Sequence, residues 1–172
     1  MAIRNAEPRD IPAILELYNQ AVRETTAAWT MQEETLDDRI TWFENRRNQN
    51  FPVTVAIDTE DRIVGFASFG PFRLKEGYRL TAEHTVYVDP KQHKSGTGTR
   101  LLADLIERAS TQGVHVLVGV IDGENVASIA LHKKLGFSVS GTIPEAGTKF
   151  GRWLDLVFVS KIISPDMQSP PA

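Results

Sequence analysis

Cysteine is absent from the chain, which removes disulfides, thiolate zinc sites and any acyl intermediate carried on a cysteine. Histidine is scarce. The four in the sequence, at positions 84, 93, 115 and 132, have no metal-ligand spacing, and no mixed histidine and carboxylate cluster replaces it. The expectation is a protein without a metal. No apolar run approaches the roughly 20 residues of a membrane-spanning helix, and residues 1–10 lack the apolar core of a signal peptide. A cytoplasmic location is expected. The formal charge of −3 gives no overall attraction to nucleic acid or to an anionic membrane. Neither is an expected partner, and basic side chains count only where they cluster.

What is present suits one globular domain. At 172 residues and 41% hydrophobic content the chain can bury a core. The expected domain covers residues 1–163, followed by a frayed tail at 164–172. Apolar residues at helical spacing after Asp10, with Pro12 tolerated in the first turn, predict a helix over 10–23. Thr35 and Asp38 make a capping-box pattern ahead of Leu36, Ile40 and Phe43, the expected inner face of a second helix closed by Arg46 and Arg47. Residues 53–57 and 63–69 flank a polar turn and predict an antiparallel hairpin. Residues 70–82 break into a loop too long and too charged for a plain connector. A strand at 83–88, a glycine turn, a helix ending near residue 112 and an apolar strand at 114–121 predict a parallel pair. Asn125 is placed to cap a helix running to Leu135 and ended by Gly136, and the last strand is expected at 153–162.

Most of the functional information lies in residues 84–99, His-Thr-Val-Tyr-Val-Asp-Pro-Lys-Gln-His-Lys-Ser-Gly-Thr-Gly-Thr. This segment leads from a strand through a basic glycine turn into a helix with Leu101, Leu102, Leu105, Ile106 and Ala109 on one face. Gly96 and Gly98 let the backbone turn its N–H groups toward a ligand, and the helix adds the positive end of its dipole, an arrangement that holds phosphate. Residues 94–99 lack the Gly-Lys-Ser/Thr of a P-loop and the third glycine of a dinucleotide fingerprint. Taken alone, such a turn is equally compatible with binding nothing.

The element order resembles that of the GNAT N-acetyltransferase superfamily, and two motifs carry the resemblance. Residues 93–98, His-Lys-Ser-Gly-Thr-Gly, look like the acetyl-CoA pyrophosphate loop Gln/Arg-x-x-Gly-x-Gly/Ala, with histidine in the first place. Residues 125–137, Asn-Val-Ala-Ser-Ile-Ala-Leu-His-Lys-Lys-Leu-Gly-Phe, look like the family segment Asn-x-x-Ala/Ser-x-x-Leu-Tyr/His-x-x-x-Gly-Phe. Residues 81–88, 131–132 and 149–155 are similar to the phosphinothricin and methionine sulfoximine or sulfone N-acetyltransferases, and the likeness spans about residues 3–163. It implies an α+β (α/β) fold in which a mixed, mostly antiparallel sheet with one parallel splayed pair is flanked by helices. It also implies acetyl-CoA as co-substrate, no metal, a small amino-acid-like acceptor and a homodimer.

The resemblance further implies a set of site residues. Glu83 is the candidate base and His132 the candidate general acid or thiolate stabiliser. The backbone of Val86, Tyr87 and Val88 would lie along pantetheine, as would Asn125. Lys94, Ser95, Gly96, Thr97, Gly98 and Thr99 would surround the pyrophosphate, with Lys134 near the adenosine phosphate. Arg73, Leu74 and Lys75, with Glu83, His84 and Thr85, would meet the amine substrate, and the cations Arg73, Lys75 and Arg79 suit a carboxylate with a second acidic oxygen. Blander readings stand beside these. Glu83 could serve only to ion-pair with Arg73 or Arg79, His132 could be an ordinary helix histidine beside Lys133, and Trp29 could be core rather than pocket wall. By the period of two, His84 points away from Glu83 and is expected to be packed, with its backbone open to substrate. A protein N-terminus, polyamine or aminoglycoside acceptor, or a non-catalytic acyl-CoA-binding module, are the competing functions.

Overall fold

The computed structural model describes residues 1–92 and 95–164. His93, Lys94 and all but the first residue of the expected tail lie outside the described residues. In chain order the elements are β1 (Ala2–Asn5), α1 (Ile11–Glu24), α2 (Leu36–Asn48), β2 (Val53–Ile57), β3 (Ile63–Pro71), β4 (Thr81–Val88), α3 (Thr97–Thr111), β5 (Val116–Asp122), α4 (Val126–Lys134), β6 (Ser138–Lys149) and β7 (Arg152–Ile162). The strands form one sheet in the order β1-β2-β3-β4-β5-β7-β6. Every neighbouring pair is antiparallel except β4 with β5, which is parallel.

Alternation along the strands divides the core into two layers. On one face α3 presents Leu101, Leu102, Leu105 and Ala109 to Ala67, Phe69, Ala82, Leu117 and Val159. Each fully buried leucine there contributes roughly 1.5–3 kcal/mol relative to exposure. On the other face Ile11 and Ile14 of α1 and Phe43 of α2 close over Val53, Val55 and Phe66. The capping box of α2 forms as its sequence requires, with Asp38 N donating to Thr35 Oγ1 at 3.2 Å and Thr35 N to Asp38 Oδ2 at 2.9 Å.

The inner face of α2 differs from the expectation. Leu36 is exposed, and the buried stripe carries Arg39 beside Phe43. The Arg39 guanidinium lies 4.0 Å from the ring of Tyr18 and 4.7 Å from that of Trp42, and it pairs with Glu34 at 2.6 Å. A planar cation stacked on aromatic faces fills a core position that hydrophobic periodicity does not count. The charged loop is also shorter than expected, because β3 runs on to Pro71 and β4 starts at Thr81. β1 went unpredicted, since four residues with Ile3 as their one large apolar side chain carry no alternation to read; it is held by antiparallel pairing with β2. β5 begins two residues late because Val114 N donates to Ala109 O and so closes the end of α3.

Candidate active site

The parallel pairing of β4 with β5 runs from Thr81↔Val116 to His84↔Gly119 and then stops. β4 continues to Val88 with β3 as its partner, and β5 continues to Asp122 with β7 as its partner. Beyond His84 a gap therefore opens between the two strands. Among the described residues the gap-facing backbone of Thr85, Val86, Tyr87 and Val88 has no sheet partner there. Unpaired strand groups of this kind are recognition sites for amides.

At the far end of β4 the chain turns through Gly96, whose φ of +82° is a left-handed conformation, and enters α3 without any side-chain cap. Thr97 N donates to Ser95 Oγ at 3.4 Å, and among the described residues the N–H groups of Gly98 and Thr99 have no acceptor and are open to an external one. Ser95 Oγ donates to Gln92 O at 2.5 Å and lies 2.7 Å from Thr97 Oγ1, which fixes the turn from within. Thr97 is buried. A Cβ on Gly98 would come 3.1 Å from Leu131 Cδ1, so the start of α3 and the side of α4 are in near contact at this point. Asn125 caps α4 through Ser128 N to Oδ1 at 3.0 Å, as its position in the sequence predicts. Lys134 is exposed in the last turn of α4. Lys94 falls outside the described residues.

Glu83, Thr85 and Tyr87 face α1 and α2. Tyr87 stacks on Phe66 with ring centroids 5.1 Å apart and meets Tyr18 edge-on. Glu83 is half-buried; burial raises its pKa above the usual carboxylate range, while the charges of Arg73 and Arg46 pull it back. Among the described residues no ion pair within 4.0 Å joins Glu83 to Arg73 or Arg46, whose charges reach it from farther off. Arg46 lies beneath this face, its guanidinium so close to Gly70, the register partner of Glu83, that a Cβ there would collide with it. In sequence Arg46 reads only as a helix-closing charge; nothing local signals its burial. Arg73 is held over the Phe72 ring at 4.4 Å and acts on Glu83, whereas Leu74, 96% exposed, and Lys75 stand out on the open loop.

The α1–α2 connection is pinned over the same face. Lys149 Nζ, buried and with its pKa lowered by burial, donates to the carbonyl oxygens of Thr25 at 2.7 Å and Ala28 at 2.5 Å. Thr26 Oγ1 donates to the buried carboxylate of Asp122 at the end of β5. Trp29 is only half-buried and rests on β6, where a Cβ on Gly147 would fall 2.5 Å from its Cε3. Gly147→Ala is therefore expected to push Trp29 outward at a cost of about 1–3 kcal/mol in stability. Thermal denaturation should record that loss; an unchanged Tm would show that the ring moves aside freely.

His84 points to the opposite face, as the alternation of β4 predicts, and is buried there. Its Nε2 lies 2.9 Å from Nε2 of His132, an approach not foreseen from sequence, and both rings pack on Phe137. The ring fits because residue 119 is glycine: a Cβ there would be 2.8 Å from His84 Cε1. His132 Nδ1 is 2.7 Å from the Ser128 carbonyl oxygen. Burial, then the neighbouring His132, lowers the His84 pKa to about 3, with the Val118 backbone opposing. Burial likewise lowers that of His132, with the Ser128 backbone opposing. Both rings are neutral near pH 7.

A concave surface of about 340 Å3 beside Phe51, Leu80 and Val114 lies at the other end of β4 and holds none of these groups. A parted parallel pair, an uncapped glycine turn and a half-buried glutamate together define the candidate site. The sequence pattern of the acetyltransferase (GNAT) domain matches residues 3–158. The chain belongs to the GNAT acetyltransferase family. A GNAT N-acetyltransferase uses acetyl-CoA, and the uncapped N–H groups of α3 and the unpaired backbone of β4 fit its pyrophosphate and amide groups. The GNAT chain is 47% identical to the L-methionine sulfoximine/L-methionine sulfone acetyltransferase of Pseudomonas aeruginosa, over 98% of both chains. It is 48% identical to the ribosomal-protein-alanine N-acetyltransferase of Brucella melitensis, with a TM-score of 0.91 over 94% of this chain and 99% of that one. It is 29% identical to a phosphinothricin acetyltransferase of Sinorhizobium meliloti solved with acetyl-CoA, with a TM-score of 0.95 over 99% and 92% of the two chains. The acceptors in these names differ while the fold is shared.

Proposed function

We propose that the enzyme moves acetyl from acetyl-CoA to the α-amine of a small anionic amino-acid analogue of the methionine sulfone, methionine sulfoximine or phosphinothricin type, directly and within a ternary complex. The observation that carries this reading is a half-buried glutamate, in the field of two arginines, just before the point where β4 and β5 part. Acetyl-CoA supplies the activated acyl group and a thiolate leaving group. The chain's residues supply the rest. An α-amine with a pKa near 7.7–8.0 arrives largely protonated, and Glu83, its pKa raised by burial, takes that proton directly or through one water. A gap-facing N–H of Val86, Tyr87 or Val88 receives the charge that develops on the carbonyl oxygen. Ser95, Gly96, Thr97, Gly98 and Thr99, with Lys94, hold the pyrophosphate, Asn125 approaches pantetheine, and Lys134 the adenosine end. As the C–N bond forms and the C–S bond breaks, the nitrogen sheds its second proton, which reaches the departing thiolate through solvent, and His132 attends that sulfur as a neutral ring with both nitrogens engaged.

Arg73, with Leu74, Lys75 and the backbone of His84 and Thr85, forms the acceptor side, and Arg46 adds a second fixed cation below it. A carboxylate with a further acidic oxygen suits this charge better than a polyamine or aminoglycoside does. The anchored connection around Trp29 favours a compact acceptor over a polypeptide. Exposed Val139, Ile143, Trp153 and Ile162 on β6 and β7 support a homodimer through these strands. Detoxification of toxic amino-acid analogues in the cytoplasm is the cellular role that follows. The test is thiol release from acetyl-CoA against methionine sulfone, methionine sulfoximine, phosphinothricin, common amino acids, spermidine, an aminoglycoside and an alanine-leading peptide. The anionic analogues are expected to give the highest kcat/KM; turnover with the peptide or spermidine alone would overturn the reading.

A further inference from the structure

Two imidazoles whose Nε2 atoms are 2.9 Å apart must share one hydrogen between them, and the surroundings decide whose it is. His132 Nδ1 faces the Ser128 carbonyl oxygen at 2.7 Å, and a carbonyl only accepts. Nδ1 of His132 therefore carries its proton, and the Nε2 of the neutral ring is a lone pair. The hydrogen in the contact belongs to His84, whose own buried Nδ1 has no hydrogen-bond partner among the described residues to hold it there. We infer that His84 is a positioning residue for His132: its Nε2–H fills the His132 lone pair, fixes that ring in one tautomer and one orientation beside the gap, and bars it from taking the proton that Glu83 removes.

The inference rests on reading the gap as the acetyl-transfer site, and the fold isolates the pair in a way that suits the role. Glu83 lies on the opposite face of β4. Around the pair, α4 carries Lys133 and Lys134 and β7 carries Lys161, whose Nζ lies against Gly136; β5 contributes Gly119 and Val118. Among the described residues no charged group other than the partner ring acts on His84, and none acts on His132. With no carboxylate to stabilise an imidazolium, a second proton reaches His132 only if the contact from His84 is released.

Two variants test this. In His84→Gln the amide Nε2–H can still reach His132; in His84→Leu nothing can donate. His84→Gln is expected to recover most of the kcat that His84→Leu loses and to restore the parent's pH-rate profile. His84→Leu should lose roughly tenfold in kcat with acetyl-CoA KM unchanged, and its pH-rate profile should gain an ionisation in the neutral range as His132 begins to titrate. Nitrogen-15 NMR of histidine-labelled protein, with His132→Phe for assignment, should show in the parent an unprotonated Nε2 and protonated Nδ1 on His132 and the converse on His84, neither ring gaining a second proton at pH 7 or above. A protonated Nε2 on His132, a ring that titrates in that range, or equal losses in the Gln and Leu variants would overturn the inference. The NMR result is independent of the catalytic reading, which fails separately if His132→Phe leaves kcat untouched.

Discussion

Glu83→Gln should lower kcat by about 10²- to 10⁴-fold, the range a positioned general base contributes, while acetyl-CoA binding, measured by calorimetry, stays as in the parent. The pH dependence follows from the sign of the shift. The ionised carboxylate is the active form, so kcat/KM rises with pH through the Glu83 pKa, and burial places that rise above the ordinary carboxylate range. The Gln variant should lose this limb altogether. Arg46→Met removes a cation that favours the ionised form, so its limb should move to higher pH; a limb that moves down, or stays, would detach Arg46 from the base. Stability should respond in the opposite sense to activity. A carboxyl whose folded pKa is raised gives stability that is fully present below its unfolded value and is lost as pH rises through the folded one. At neutral pH Glu83 is therefore a burden on the fold, and Glu83→Gln should raise Tm even as it removes turnover. A variant that is both inactive and less stable would indicate structural damage instead of a missing base.

The same residues show what a sequence can and cannot reveal. The capping box of α2, the hairpin of β2 and β3, the parallel pair and the glycine turn are local patterns, each set by turn chemistry or alternation within a dozen residues. Their legibility placed Glu83 and His84 on opposite faces before any coordinates. The groups that escaped notice are those whose partners are remote in the chain. Arg46 meets Gly70 and the field of Glu83, Thr26 meets Asp122, Lys149 meets Thr25 and Ala28, and His84 meets His132. Each is a polar side chain drawn partly or wholly inside by tertiary contact; alternation buries His84 but names no partner for it, and hydrophobic periodicity assigns the others to the surface. The one advance sign was compositional: Gly119 interrupts the apolar run of β5 and Gly147 interrupts β6, and glycine in a strand marks a close approach by another group. In both cases that group is a ring, His84 in the first and Trp29 in the second.

Gly96→Val is expected to raise the acetyl-CoA KM by at least tenfold while the amine KM stays within a factor of two. Among the described residues, its chain neighbours aside, no atom lies within 4 Å of where the new Cβ would stand, so crowding by them is not the cause. The cause is the backbone: a φ of +82° is open to glycine and strained for a β-branched residue by roughly 1–3 kcal/mol or more. Relief of that strain rotates the peptide that aims the first N–H groups of α3, and tenfold in binding corresponds to only about 1.4 kcal/mol. Gly96→Asn separates conformation from composition, because asparagine tolerates the left-handed region and should recover much of the affinity. A donor without the pyrophosphate, acetyl-pantetheine, gives the complementary control: it never uses the turn, so parent and Gly96→Val should process it with equal kcat/KM. If the Val variant folds normally and yet binds acetyl-CoA as the parent does, the phosphates are held elsewhere. If acetyl-pantetheine suffers equally, the turn acts by shaping the gap beside β4, and Lys94 to Thr99 lose their assignment as the pyrophosphate cradle.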